Sequence, residues 1–134
     1  MTRLLALAGL ILLVPSLALS TDAAVPVSFK TDLQPIINAQ CVFCHVTGAE
    51  NGGLNLGRRV SHAALMAAST EAPAMPRVTP GDTEKSYLIH KLKGTHLDAG
   101  GSGTRMPMND PPRPLDAAQL ELFVRWVESG ALDN

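Results

Sequence analysis

Apolar positions form one long block at the start of the chain and then several short periodic stretches. Leu4 to Leu19 is almost wholly apolar, interrupted by Pro15 and Ser16. Met1-Thr2-Arg3 puts a short basic stretch before the block, and Ala18-Leu19-Ser20 puts small residues after it. That layout predicts a secretory leader over 1–20, cleaved after Ser20. The block is short for a membrane span, and its proline and small-residue exit favour removal.

Beyond it the period is helical. Phe29, Leu33, Ile36 and Ile37 recur at i, i+4, i+7 and i+8. They predict a helix over 28–39, with Pro35 imposing a kink or a late start. Val60, Ala64 and Leu65 predict a short inward-facing helix over 58–68. Leu88, Ile89 and Leu92 predict another over 83–92, capped by Asp82 after the Pro80-Gly81-Asp82 turn. The last helix is the best defined. Asp116 with Gln119 fits a variant capping box, Leu115 and Leu120 fit a hydrophobic staple, and Leu120, Phe123, Val124 and Val127 form its stripe. Gly130 ends it. Leu54-Asn55-Leu56 reads as a short extended piece, and 94–114 as glycine- and proline-rich loop throughout. No repeat or strand-rich region intervenes, so the expectation is an all-α domain over 21–134.

Composition narrows the picture. Of 134 residues, roughly 114 remain after the leader, enough for one small domain. The formal charge of −1 offers no basic footprint for nucleic acid and no polybasic patch for anionic lipid. Phe29, Phe43, Tyr87, Phe123 and Trp126 are the only aromatic residues, so the core of so short a chain is limited.

The chemistry lies in Cys41-Val42-Phe43-Cys44-His45. C-x-x-C-H is the attachment motif of a c-type haem. At the end of a helix its thiols and imidazole fall at i, i+3 and i+4, on one face. Two thiols can add to the two vinyl groups of one porphyrin while the imidazole reaches the iron. A redox dithiol expects a thioredoxin-like βαβ setting, a structural zinc site expects four ligands, and a disulfide leaves His45 unexplained. One motif means one haem c, and an exported chain agrees with it.

The sixth iron position has several candidates: Met66, Met75, Met106, Met108, His62, His90 and His96. Met66 fits core filler and the histidines fit hydrogen-bonded or solvated roles. Met106 and Met108 lie in Arg105-Met106-Pro107-Met108, a stretch stiffened by Pro107, Pro111, Pro112 and Pro114. Arg58, Arg59, Arg105 and Arg113 are candidate partners for propionates.

These pieces together resemble the class I cytochrome c family, and especially small bacterial periplasmic monohaem domains. The resemblance runs from about residue 28 to 131. It is carried by Phe29, Pro35-Ile36-Ile37, the C-x-x-C-H run, Gly52-Gly53-Leu54-Asn55-Leu56, Pro80-Gly81-Asp82, Ser86-Tyr87-Leu88, Met106-Pro107 and Trp126-Val127-Glu128-Ser129-Gly130-Ala131. It implies a fold of three to five helices around one covalently bound haem, in which the first and last helices cross and Trp126 is core. It implies Cys41 and Cys44 as attachment points, His45 as the proximal iron ligand and Met106 as the distal one. Met108 departs from the subgroup's usual Met-Pro-Pro and keeps the choice of thioether open. The implied function is periplasmic one-electron transfer between redox partner proteins, without catalysis of its own and without stable membrane insertion once the leader is removed. A haem peroxidase or gas or redox sensor with a displaceable distal ligand is the alternative, as is a haem subunit of a larger oxidoreductase.

Overall fold

The computed structural model describes residues 25–134 except Asn51, Asp110 and Pro112. The expected leader over 1–20, and the domain boundary at 21, lie outside the described residues. Within them the chain is all-α, without a strand; its only bridges are isolated, Ala68 with Pro76 and Thr79 with Asp82. A π-helical turn, Phe29–Leu33, leads into α1, Gln34–Gln40. Then follow α2, Ser61–Leu65, α3, Tyr87–Lys93, and α4, Ala117–Glu128. No described helix is long and apolar enough to cross a membrane.

The first element shows how a proline is accommodated near the start of a helix. Pro35 has no N–H to donate and tolerates only the opening turn of an α-helix. The chain meets this by widening the preceding turn, where the Gln34 N–H reaches back to the Phe29 carbonyl. Ser28 caps that turn by accepting from the Thr31 N–H at 3.3 Å.

α4 follows the sequence pattern closely. The Asp116 carboxylate accepts from the Gln119 N–H at 2.8 Å, and Gln119 returns a bond to the Asp116 N–H at 3.4 Å. Its stripe buries Phe123, Trp126 and Val127 against Phe29, Leu33 and Ile37 of the first element. The Phe29 and Trp126 ring centroids lie 5.2 Å apart, and Gly130 at φ 102° lets the chain turn off the helix end.

Two elements are shorter than the periodicity predicts. α2 covers Ser61–Leu65 rather than 58–68, and Val60 is 43% exposed rather than inward. What fixes α2 is a buried polar joint. The Ser61 hydroxyl donates to Gln34 Oε1 at 2.5 Å, and Gln34 Nε2 donates to Asn38 Oδ1 at 2.9 Å. α3 begins at Tyr87, not 83, and Asp82 does not cap it. Its carboxylate instead closes a turn, accepting from the Lys85 N–H and Nζ at 3.0 and 2.8 Å. The first N–H groups of α3 find the Pro76 and Arg77 carbonyls instead, at 3.1 and 2.8 Å, so no side-chain cap is required there. The stretch 94–114 carries no helix or strand among its described residues.

Candidate functional site

α1 delivers the cysteine–histidine motif. Cys41 is the C-cap residue of α1, and its N–H reaches the Ile37 carbonyl at 2.9 Å. One further helical turn follows. The Cys44 and His45 N–H groups both bond the Cys41 carbonyl, at 3.2 and 3.1 Å, so Cys41, Cys44 and His45 share one side of the turn. Both cysteines are unbridged; Cys41 is half-buried and Cys44 exposed.

All three residues line one cleft of about 1030 Å³, at the upper end of the range that small-molecule and cofactor sites take, roughly 300–1,000 Å³. Leu54, Leu56, Leu65, Leu88 and Leu92 give it apolar walls. Met106 and Met108 reach the same cleft from the late loop. Met106 is half-buried and packs against the core, whereas Met108 is 61% exposed.

The electrostatics favour neutral sulfur at Cys41. Burial, with a smaller contribution from Cys44, pushes the Cys41 thiol up to about 11, so a thiolate there is disfavoured. Among the described residues no group of three or more His, Cys, Asp or Glu is placed to hold a metal by itself. His45 Nδ1 is buried without a hydrogen-bond partner. An unpartnered buried nitrogen costs about 1–3 kcal/mol.

The remaining histidines and methionines are otherwise engaged. His62 bonds the Ala131 carbonyl at 2.8 Å and packs edge-on against Phe29 and Trp126, within the helical core. His90 uses both ring nitrogens, on Thr95 Oγ1 at 2.8 Å and the Glu84 carbonyl at 2.9 Å. His96 is buried, with Nε2 on the Gly103 carbonyl at 3.0 Å and Nδ1, like that of His45, without a partner. Met66 packs against the core, and neither it nor Met75 lines the cleft.

Of the arginines singled out from the sequence, only Arg113 lines the cleft. Arg58 and Arg59 are exposed away from it, and Arg105 gives its Nε–H to the Leu92 carbonyl at 3.0 Å. Sequence reasoning missed Arg77, Glu71 and Lys91, which line the cleft with Tyr87. Arg77 is buried and donates to the carbonyls of Ala64, Gly52 and Gly53 at 2.8–3.0 Å. Desolvation lowers its guanidinium below the ordinary range, offset in part by Glu71. Lys91 Nζ stands 2.7 Å from Glu71 Oε2, with both side chains largely removed from water. A signal existed only for Tyr87 and Lys91, which share a face of α3 at i and i+4; nothing in the sequence links either to Glu71.

No protein-family model, characterised protein or solved structure matches the chain.

Proposed function

We propose that this chain is an exported monohaem c-type cytochrome of the class I kind that transfers single electrons between partner proteins. One observation carries the reading: Cys41, Cys44 and His45 line the same cleft as the thioethers of Met106 and Met108. The residues fit the group. The cleft is large and apolar-walled, burial holds the Cys41 thiol neutral, and His45 lines the cleft beside both cysteines.

When bound, the haem supplies a ferric–ferrous couple. Cys41 and Cys44 would hold it covalently, and His45 and Met106 would ligate its iron. A thioether ligand favours the ferrous form relative to a second histidine, and so raises the potential. The leucine walls exclude water, which disfavours the extra positive charge of the ferric form. Arg113, exposed at the cleft, is the better placed partner for a propionate; the Nη groups of Arg77 already serve three carbonyls. Phe43, 94% exposed beside the exposed Cys44, would lie where a redox partner makes a small, transient contact. The leader expected over 1–20 supports a periplasmic location.

The test is the mass and colour of the exported protein. A denatured sample that keeps its colour through acid–acetone extraction, and weighs one haem more than its mature polypeptide, supports the reading. A colourless protein of polypeptide mass overturns it.

A further inference from the structure

The loop that carries Met106 and Met108 is glycine-rich and without regular structure, yet it is pinned to α3 at Ser102, at Arg105, whose Nε–H reaches the Leu92 carbonyl at 3.0 Å, and at Met106. At its start, the Ser102 carbonyl accepts from Lys91 Nζ at 2.8 Å, and the Ser102 N–H donates to the Tyr87 hydroxyl at 3.2 Å. At its end, the Met106 N–H donates to the Lys91 carbonyl at 3.0 Å. The Tyr87 hydroxyl has one proton to share between the Ser102 carbonyl at 3.2 Å and Glu71 Oε2 at 3.3 Å. Glu71 closes the cluster through its 2.7 Å bridge to Lys91. Three segments therefore meet at one buried ion pair: the stretch after α2, α3 itself and the methionine loop.

Beyond Met106 this hold ends. The Met108 sulfur has one polar neighbour, the Thr104 hydroxyl at 3.4 Å, and its side chain points largely into solvent. Gly101 shows how closely the loop lies on α3, because a Cβ there would overlap the Tyr87 ring. Removing either partner of a largely buried ion pair is costly, so loss of Lys91 or Glu71 is expected to loosen the cluster.

We propose that Lys91, Glu71 and Tyr87 are positioning residues that fix Met106, rather than Met108, as the thioether presented to the cleft. The inference rests on the haem reading above and names what selects its distal ligand. Pinning the loop at Ser102, Arg105 and Met106 fixes a short span whose geometry Met106 inherits, while Met108 lies beyond Pro107.

The experiment compares wild type with Glu71→Gln, Lys91→Gln, Gly101→Ala and Lys91→Arg as purified, exported proteins. Two readouts are taken: hydrogen exchange at residues 101–106, and the far-red sulfur-to-iron charge-transfer band, with and without Met108→Ala. The first three variants are expected to raise exchange in that span roughly tenfold while α4 keeps wild-type protection, which excludes global unfolding. Their band weakens, and what remains falls further when Met108→Ala is added. Lys91→Arg, which keeps the charge, restores both readouts. Wild-type exchange, together with a band that still depends on Met106 alone in Glu71→Gln and Lys91→Gln, overturns the inference while leaving the haem reading intact. A wild-type protein that carries no porphyrin sinks both.

Discussion

The backbone N–H of Met106 donates to the carbonyl of Lys91 at 3.0 Å, which ties the late methionine loop to the last turn of α3. Through that bond a loop without secondary structure acquires a fixed endpoint on a helix. Ordering a residue costs about 1–2 kcal/mol of backbone entropy, so a thioether already held in place would bind the proposed haem iron with less to lose.

Met106 and Met108 should therefore behave differently. If the chain carries the proposed haem, Met106→Ala is expected to abolish the far-red thioether–iron band of the oxidised form, and Met108→Ala to leave it in place. Visible spectra of the two variants decide the matter; loss of the band in Met108→Ala with retention in Met106→Ala would reverse the assignment.

Glu50 gives a dependence on acidity. The polarity of its own amide first, then hydrogen bonds from the Thr47 amide, the Thr47 hydroxyl and the Gly48 amide, lower its carboxylate from 4.5 to about 2. Because the folded value lies below the ordinary one, this contribution to stability is complete above pH 4.5 and is lost as the pH falls through about 2. Glu50→Gln should lower the denaturant midpoint at pH 7 and lose most of that difference as the pH approaches 2. An equal difference at both ends of the range would refute the role.

Trp126 is fully buried, packs on Phe29 and donates its indole N–H to the Leu132 carbonyl at 2.9 Å. Trp126→Ala is expected to cost about 3–5 kcal/mol. In a small domain that is a large share of a total of roughly 5–15 kcal/mol. Urea titration followed by far-ultraviolet circular dichroism measures it, and a loss below about 1 kcal/mol would contradict the packing described.

The capping box admits a finer test. Asp116→Ala removes the acceptor for the Gln119 N–H and should cost about 1 kcal/mol. Asp116→Asn keeps an acceptor and should recover most of it. If both substitutions cost the same, the charge at the helix N-terminus matters more than the hydrogen bond.

Local chemistry was legible in the chain and distant pairing was not. The stripe Phe29, Leu33, Ile37 and the stripe Phe123, Val127 announced the two packed elements, because a helix repeats its face every three or four residues. The box between Asp116 and Gln119 was readable for the same reason: its partners are three residues apart. The expected start of α3 failed because Asp82 has two outlets within reach. The turn to Lys85 took it, and carbonyls from Pro76 and Arg77 satisfied the helix instead. Val60 failed because apolar spacing marks a face without saying whether anything covers it.

By itself the sequence determined the all-α class of the described residues, the spacing of Cys41, Cys44 and His45 on one turn, and the cap and stripe of α4. Each of these depends on neighbours within about one turn of backbone, where covalent geometry leaves little choice. Tertiary structure alone decided that Lys91 would find Glu71, that Arg77 rather than Arg58 would stand in the cleft, that His62 would join Phe29 and Trp126, and that Met106 would be held while Met108 faces water. The physical reason is that a buried charge or sulfur takes whichever partner the packing of distant segments brings within a few ångströms, and no local pattern encodes that meeting.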